Sequence, residues 1–310
     1  MDKNEPLARQ GLGMFYVAGA AILFASKGLF SKALYQRGVH FELLVTVRAL
    51  LAMPLFIGFA IQTNRGTAAG PRIPWSAYAG ASVAGIICYY VGAMVDFHAL
   101  ELIDASIERV LLFSYPALVV LISSFMRRRA PDRRLVLAML VTYLGIFFAM
   151  GGIDLAELRT NVYGACLVLV AALTTAIYFL IGERYVHVLG STRFAAIGMS
   201  SSAVVLALHF AVFRSFDEVK ALDAHSWLLL GILGIACMFA PGLMQAEGVR
   251  RVGAQRAAIG STVGPPTTIV LAALFLGERL NGWQLLGSAM IVASVLVLAV
   301  RRPAADSGTG

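Results

Sequence analysis

Ala84-Gly85-Ile86-Ile87-Cys88 and Leu233-Gly234-Ile235-Ala236-Cys237 are one segment written twice, 149 positions apart. At the same offset, with no gap, Ala105 falls on Ala254 and Pro116 on Pro265. Each match alone means little. Gly-Ile-x-Cys and Pro at one shared offset mark an internal repeat. Around the two segments lie apolar runs near 75–98, 104–126 and 133–151, and near 226–247, 254–276 and 282–300. Two further runs precede each set, near 14–36 and 42–62, and near 162–184 and 193–213. A helix needs about twenty residues to cross the hydrocarbon core. Each run has that length, so the reading is ten transmembrane helices. Five per copy is an odd number, so the copies point in opposite directions across the bilayer. The expected fold class is all-α integral membrane, built as two inverted five-helix repeats over 1–151 and 162–300, with a polar tail at 301–310.

Composition requires a membrane. Of 310 residues, 59% are hydrophobic and 14% charged, and the mean hydropathy is +0.80. Soluble chains run at about 45–50% apolar and about 25% charged. Continuous apolar runs favour helices over a barrel, whose strands would alternate and be about half as long. Each helix satisfies its own backbone groups, as hydrocarbon demands.

The net charge of +8 comes from short basic clusters between the runs, the densest being 127–134 with five arginines. Such clusters anchor at lipid headgroups, so no nucleic-acid partner is expected. With the N-terminus inside, Lys and Arg divide about fifteen inside to six outside. Both termini are therefore expected in the cytoplasm, and the first apolar run is expected to be retained. Cys88, Cys166 and Cys237 each lie within an apolar run, and read as small buried hydrophobes rather than a disulfide framework. The five histidines lack ligand spacing. No metal or cofactor is expected.

Ionisable residues far from helix ends carry most of the functional information, because a charge at a helix centre costs at least about 2.5–3.5 kcal/mol. Lys27 lies mid-span in the first run. It reads either as a site for an anionic group or as half of a structural ion pair. Arg48 reads either as a carboxylate clamp or as a static tie to a backbone carbonyl or acid. Tyr89, Gly92, Ala93 and Asp96 share one helix face, which would leave room for a ligand or for a neighbouring helix. Glu108 and Arg109 point about 100° apart. Together, Asp96 and Glu108 are expected to balance Lys27, Arg48 and Arg109 in a network in the outer half. Tyr89, Tyr115 and Tyr178 are candidates to line a cavity, with aromatic packing as the alternative. Pro116 and Pro265 each remove a backbone donor mid-helix. They are candidate hinges or static bends. Gly260 and Gly264 form a GxxxG match that suits close packing. The three tryptophans, Trp75, Trp227 and Trp283, fall near span ends and read as interfacial belts.

With these residues identified, the chain resembles the EamA-type branch of the drug/metabolite transporter superfamily over nearly its whole length. The second half carries the ending Leu276-Gly277-Glu278-Arg279-Leu280 before a final apolar helix. The first half resembles a bacterial subgroup through Lys27-Gly28, Lys32, Arg48 with Pro54, Tyr89-Tyr90, Asp96-Phe97, Glu108-Arg109, Leu112-Phe113 and Tyr115-Pro116. It departs from the pattern at Phe24-Ala25 and at Arg128-Arg129, where an aromatic-Gly pair and a Gly-Glu pair are usual. The resemblance implies ten helices, cytoplasmic termini and transport of small organic metabolites, often outward.

Inverted repeats suit alternating access, with substrate near the midplane where the halves meet. No phosphate-binding Gly-rich loop followed by Lys-Ser/Thr occurs, so ATP is not the expected energy source. Neither HExxH nor GxSxG occurs. The expectation is a secondary exporter of small amino-acid-like or related metabolites in the inner membrane, not an enzyme. A coupling proton is open to Asp96 or Glu108. The alternatives are an importer, or a membrane-embedded enzyme using Asp96, Glu108 and His98.

Overall fold

A computed structural model describes residues 5–64, 73–103, 108, 111–128, 130–149, 162–267, 270 and 282–300. The described residues are helical, with turns between. In chain order the helices are α1 (Glu5–Ala25), α2 (Lys27–Tyr35), α3 (Phe41–Asn64), α4 (Trp75–Gly85), α5 (Ala93–Leu102), α6 (Tyr115–Arg127), α7 (Arg133–Ala149), α8 (Val162–Leu189) and α9 (Ser191–Phe213). The short α10 (Asp217–Lys220), then α11 (Ala224–Gly234), α12 (Ala240–Val252), α13 (Ala254–Gly260) and α14 (Gly282–Val300) follow.

Six helical rods are long and apolar enough to cross a membrane: Gln10–Tyr35, Phe41–Thr63, Trp75–Leu102, Val162–Leu189, Ser191–Phe213 and Ala224–Val252. The expected spans near 104–126 and 254–276 fall partly outside the described residues. The helices expose large apolar side chains such as Leu121, Phe125, Leu137, Leu208 and Val212. In water that surface would be costly, whereas lipid tails solvate it. Trp75 and Trp283 are exposed at the starts of α4 and α14, and Trp227 in the first turn of α11.

The repeated segment has a geometric reason. A Cβ on Gly85 would lie 2.1 Å from the carbonyl oxygen of Gly198 in α9. One on Gly234 would lie 2.9 Å from the carbonyl oxygen of Arg48 in α3. Each glycine therefore marks a backbone-to-backbone helix crossing that only a missing side chain permits. Directly after each, the helix widens into a π turn, over Ile86–Gly92 and over Ile235–Phe239. Each π turn lengthens the hydrogen-bond step by one residue, and such turns concentrate at functional sites. The apolar composition gave no sign of them, and these stretches read as plain α-helix.

The first rod breaks at Ser26, between α1 and α2, where a continuous helix is expected. Ser26 Oγ donates to the Leu23 carbonyl at 2.8 Å and lies 3.2 Å from Cys237 Sγ in the second π turn. The break makes Lys27 the first residue of α2. A cation there opposes the helix dipole, and needs an acid partner from elsewhere.

Pro116 and Pro265 also sit at breaks, whereas Pro54 lies inside α3. Residues 113–114 form a turn, α6 starts at Tyr115, and Pro116 occupies its first turn. Its missing N–H is an orphan position there. Tyr143 of α7 completes the join: its hydroxyl donates to the Phe113 carbonyl at 2.9 Å and accepts from the Ala117 N–H at 3.1 Å. Pro265 follows a 3-10 turn, Ser261–Val263.

Helix partners are as follows. α3 packs along α9, α7 along α14, and α6 against α13. α1 packs along α12, and α8 along the rod formed by α4, its π turn and α5. Thr142 and Ser294 share a hydrogen bond of 2.6 Å between α7 and α14.

Candidate functional site

The rods enclose a cavity of about 160 Å³ at mid-length. α1, α2, α3, α5, α6, α8, α12 and both π turns contribute to its wall, as do Ser261 and Gly264. Five of the eight sequence candidates line it: Lys27, Arg48, Tyr89, Asp96 and Tyr115.

Lys27 Nζ lies 2.5 Å from Asp96 Oδ2. Asp96 is thus the acid that the N-terminal position of Lys27 requires. Both side chains are about one-tenth exposed. Removing two charges from water costs several kcal/mol per ion, and close pairing offsets it. The ring of Phe97 supplies a second contact. Lys27 Nζ sits 4.7 Å from its centroid, and the Arg48 guanidinium carbon 4.2 Å. A desolvated cation over an aromatic face gains about 2 kcal/mol. Arg48 is 5% exposed, and its Nε has no hydrogen-bond acceptor among the described residues. Its guanidinium lies against the Phe97 ring.

The remaining candidates lie elsewhere. Glu108 is fully buried but is not part of the cavity wall. Arg109 lies outside the described residues. Tyr178 stands behind the wall, its ring edge-on to Tyr89 at 5.1 Å. Tyr115 stacks on Phe179 at 5.6 Å, and its hydroxyl donates to the Ala258 carbonyl at 3.4 Å. Gly92 and Gly264 serve both the wall and the packing: a Cβ would lie 2.2 Å from Thr174 Oγ1 and 2.9 Å from Phe113 respectively.

Sequence reasoning passed over Phe24, Phe97, Cys88, Cys237 and Met238, all of which line the cavity. A signal for them existed in the repeat. At the 149-residue offset, Cys88 and Cys237, Tyr89 and Met238, Asp96 and Gln245, Leu112 and Ser261, and Tyr115 and Gly264 all face the same cavity. His98, considered as an acid–base group, is off the wall, 3.7 Å from Glu101 and packed on Phe41 at 4.9 Å.

Polar ties cross both ends of the bundle. At the end where α1 begins, Arg127 pairs with Glu183 at 2.8 Å, and Glu183 accepts the Ala254 N–H at 3.3 Å. Nearby, Glu247 accepts from Arg251 Nε at 2.5 Å and from Ser191 Oγ at 2.5 Å. At the other end, Arg37 pairs with Asp223, and Arg214 lies 3.3 Å from Glu42 and 3.0 Å from Glu218. Asp223 caps α11 by accepting the Ser226 N–H. The Ser226 hydroxyl and N–H, together with Arg37, hold its carboxyl well below the usual range.

A wall with buried charges at mid-length, with ionic ties at both ends of the bundle and lipid-facing apolar surface around it, suits passage of a solute. The model of the EamA-like transporter family matches the chain twice, over residues 11–151 and 162–300. The chain belongs to the EamA-like transporter family. It is 29% identical over 294 residues to the uncharacterized transporter YcbK of Bacillus subtilis, covering 92% of each chain. It is also 22% identical to the uncharacterized inner membrane transporter YicL of Salmonella typhimurium, covering 93% of this chain and 95% of that one. A solved crystal structure superposes with a TM-score of 0.74 at 19% identity, covering 92% and 95% of the two chains, which is a likeness of fold. The family member is a multi-pass membrane transporter, with a small-molecule substrate and the lipid bilayer as partners.

Proposed function

We propose that this EamA-family protein is a secondary exporter of small organic metabolites, amino-acid-like or related. It spans the inner membrane ten times with both termini cytoplasmic, and works by alternating access between two inverted five-helix repeats, 1–151 and 162–300. The observation that carries this reading is the mid-length cavity, whose wall takes equivalent positions from both halves. The main helix partners support the inversion: exchanging the first five spans for the last five maps the α3–α9, α7–α14 and α6–α13 pairs onto themselves, and the α1–α12 pair onto that of α8 with the rod of α4 and α5. The ionic ties at both ends support an occluded state, from which either end can open.

Substrate contacts are assigned to Lys27, Arg48, Tyr89, Asp96 and Tyr115, with Tyr178 backing Tyr89, and with Glu108 and Arg109 balancing the charge near Asp96. The breaks at Pro116 and Pro265 act as paired hinges. A proton taken by Asp96 or Glu108 is the candidate coupling ion.

The test is counterflow in liposomes. Purified protein, loaded with an unlabelled metabolite pool, is expected to accumulate a labelled member of that pool, and protein-free vesicles are not. Binding of ligand without flux would refute the transporter mechanism. Orientation-resolved vesicles separate export from import, the second reading of direction.

A further inference from the structure

The cavity wall specifies a charge. Among its described residues the basic and acidic side chains are Lys27, Arg48 and Asp96. Lys27 and Asp96 neutralise one another at 2.5 Å. The surplus is the single guanidinium of Arg48. It is held in place from one side by the Phe97 ring, and its buried Nε meets no protein acceptor among the described residues. A planar guanidinium with an unmet buried donor matches a carboxylate bidentately.

The rest of the wall narrows the class. Phe24, Leu112, Phe113, Phe179 and Met238 give it a broad apolar face. Three of its hydroxyls already donate to the backbone, Thr175 Oγ1 to the Ala171 carbonyl at 2.9 Å, Ser261 Oγ to the Ala257 carbonyl at 2.9 Å and Tyr115 to the Ala258 carbonyl at 3.4 Å, which leaves the Tyr89 hydroxyl and the Gln245 amide. A polyol would find few free donors there. An ammonium group would have to compete with Lys27 for Asp96. Size sets a further bound. An apolar cavity of about 150 Å³ holds benzene, so the cavity of about 160 Å³ has room for a body of at least roughly five to seven carbons.

We infer that the transported solute is a small organic monocarboxylate with an apolar body, that Arg48 reads the carboxylate, and that an α-ammonium group is not read. This rests on the transporter reading above, and it narrows the substrate class from amino-acid-like metabolites to simple organic acids. The neutral Lys27–Asp96 pair then frames the site without taking the charge of the solute.

A matched series tests it on the purified full chain at neutral pH, with thermal unfolding as the readout, since a ligand of the folded state must stabilise it. Pentanoate, pentanamide and 2-aminopentanoate share one carbon skeleton, and benzoate with benzamide gives a bulkier pair. Pentanoate or benzoate is expected to raise the melting temperature saturably. The matched amide should do so at least tenfold more weakly, as should 2-aminopentanoate. In Arg48→Gln the preference for acid over amide should vanish, and Arg48→Lys, a charge without the planar fork, should keep part of it. Equal stabilisation by acid and amide, equal or tighter binding of 2-aminopentanoate, or no shift with either acid would overturn the inference. The wild-type series decides even if the Arg48 variants fail to fold. Flux in liposomes separates the two readings. Acid binding without flux would leave the carboxylate assignment standing and remove the transporter reading. Flux of 2-aminopentanoate without acid binding would do the reverse.

Discussion

Replacing Lys27 by Met removes the cation from the buried pair while keeping a long apolar stem. At 2.5 Å the Coulomb attraction is about 7 kcal/mol at an effective dielectric of about 20. Most of that is offset by the several kcal/mol each ion loses on leaving water. What decides the outcome is the carboxylate left behind. Removing one partner of a buried pair costs about 3–5 kcal/mol, whereas replacing both by neutral groups of similar volume is often close to neutral. Lys27 also gives up its contact with the Phe97 ring, about 0.5–2 kcal/mol. Lys27→Met and Asp96→Asn should each lower unfolding free energy by about 3–5 kcal/mol. The double variant should lose clearly less than the sum, with a coupling of about 2–3 kcal/mol. Reversible unfolding in mixed micelles, titrated with a denaturing detergent, measures all four corners of the cycle. Single variants within about 1 kcal/mol of wild type, or a double variant additive to within about 0.5 kcal/mol, would refute the reasoning. The pair would then be no structural element of the cavity wall.

Gly85→Ala forces a Cβ into the Gly198 carbonyl and should cost at least the roughly 1–3 kcal/mol of overpacking. Gly231→Ala, with nothing within 4 Å, should be neutral or stabilising by up to about 1 kcal/mol in the same unfolding assay. Tyr143→Phe takes away the hydroxyl that bridges the Phe113 carbonyl and the Ala117 N–H, and should cost about 1–3 kcal/mol for the groups left unpaired. Asp223 has a folded-state carboxyl held below its ordinary value of 3.8, so its contribution is present above the unfolded value and is lost as pH falls through the folded one. The melting-temperature gap between wild type and Asp223→Asn should be flat from pH 8 to about 5 and shrink below about 4. A gap that grew with acid would have the wrong sign. Pro116→Ala should lower stability by only about 0.4–1 kcal/mol, acting through the unfolded chain, and unchanged transport rates in Pro116→Ala and Pro265→Ala would count against hinges there.

Membrane class, helical rods and the ionisable residues of the cavity were legible in the sequence, because hydrocarbon penalises each violation heavily. Lys27, Arg48 and Asp96 stood out on cost alone. What those charges touch did not. In a helix that is apolar on every face, no amphipathic stripe separates the lipid side from the packed side. Phe97 therefore looked like any other apolar residue, and Tyr178 could not be told from Tyr89. The breaks were hidden for a related reason. Ser26 is small and common in such helices, and a π turn needs no special residue. The prolines did point to breaks, but not to where the helix restarts. The Tyr143 hydroxyl that bridges one of those breaks comes from the next helix, beyond the reach of any local pattern.

The repeat explains why the two halves share geometry yet differ in chemistry. Both copies need a close crossing, and glycine supplies it at Gly85 and Gly234. Both need a widened turn beside the cavity, and a π turn follows each glycine. These demands come from packing, and act on the copies alike. Substrate recognition acts on them differently. One solute with one charged head needs one polar pole, not two. On the wall, Tyr89, Asp96 and Tyr115 of the first copy correspond to Met238, Gln245 and Gly264 of the second. Lys27 and Arg48 add further charge to the first side. A head-and-tail solute would then lie across the seam, its head fixed to the first copy and its tail on the softer second one. Under the proposed rocking of the halves, the head would stay on its own copy, and the contacts that slide would be the weak apolar ones. On this arrangement the barrier to switching falls on the side of the cavity where least binding energy is held.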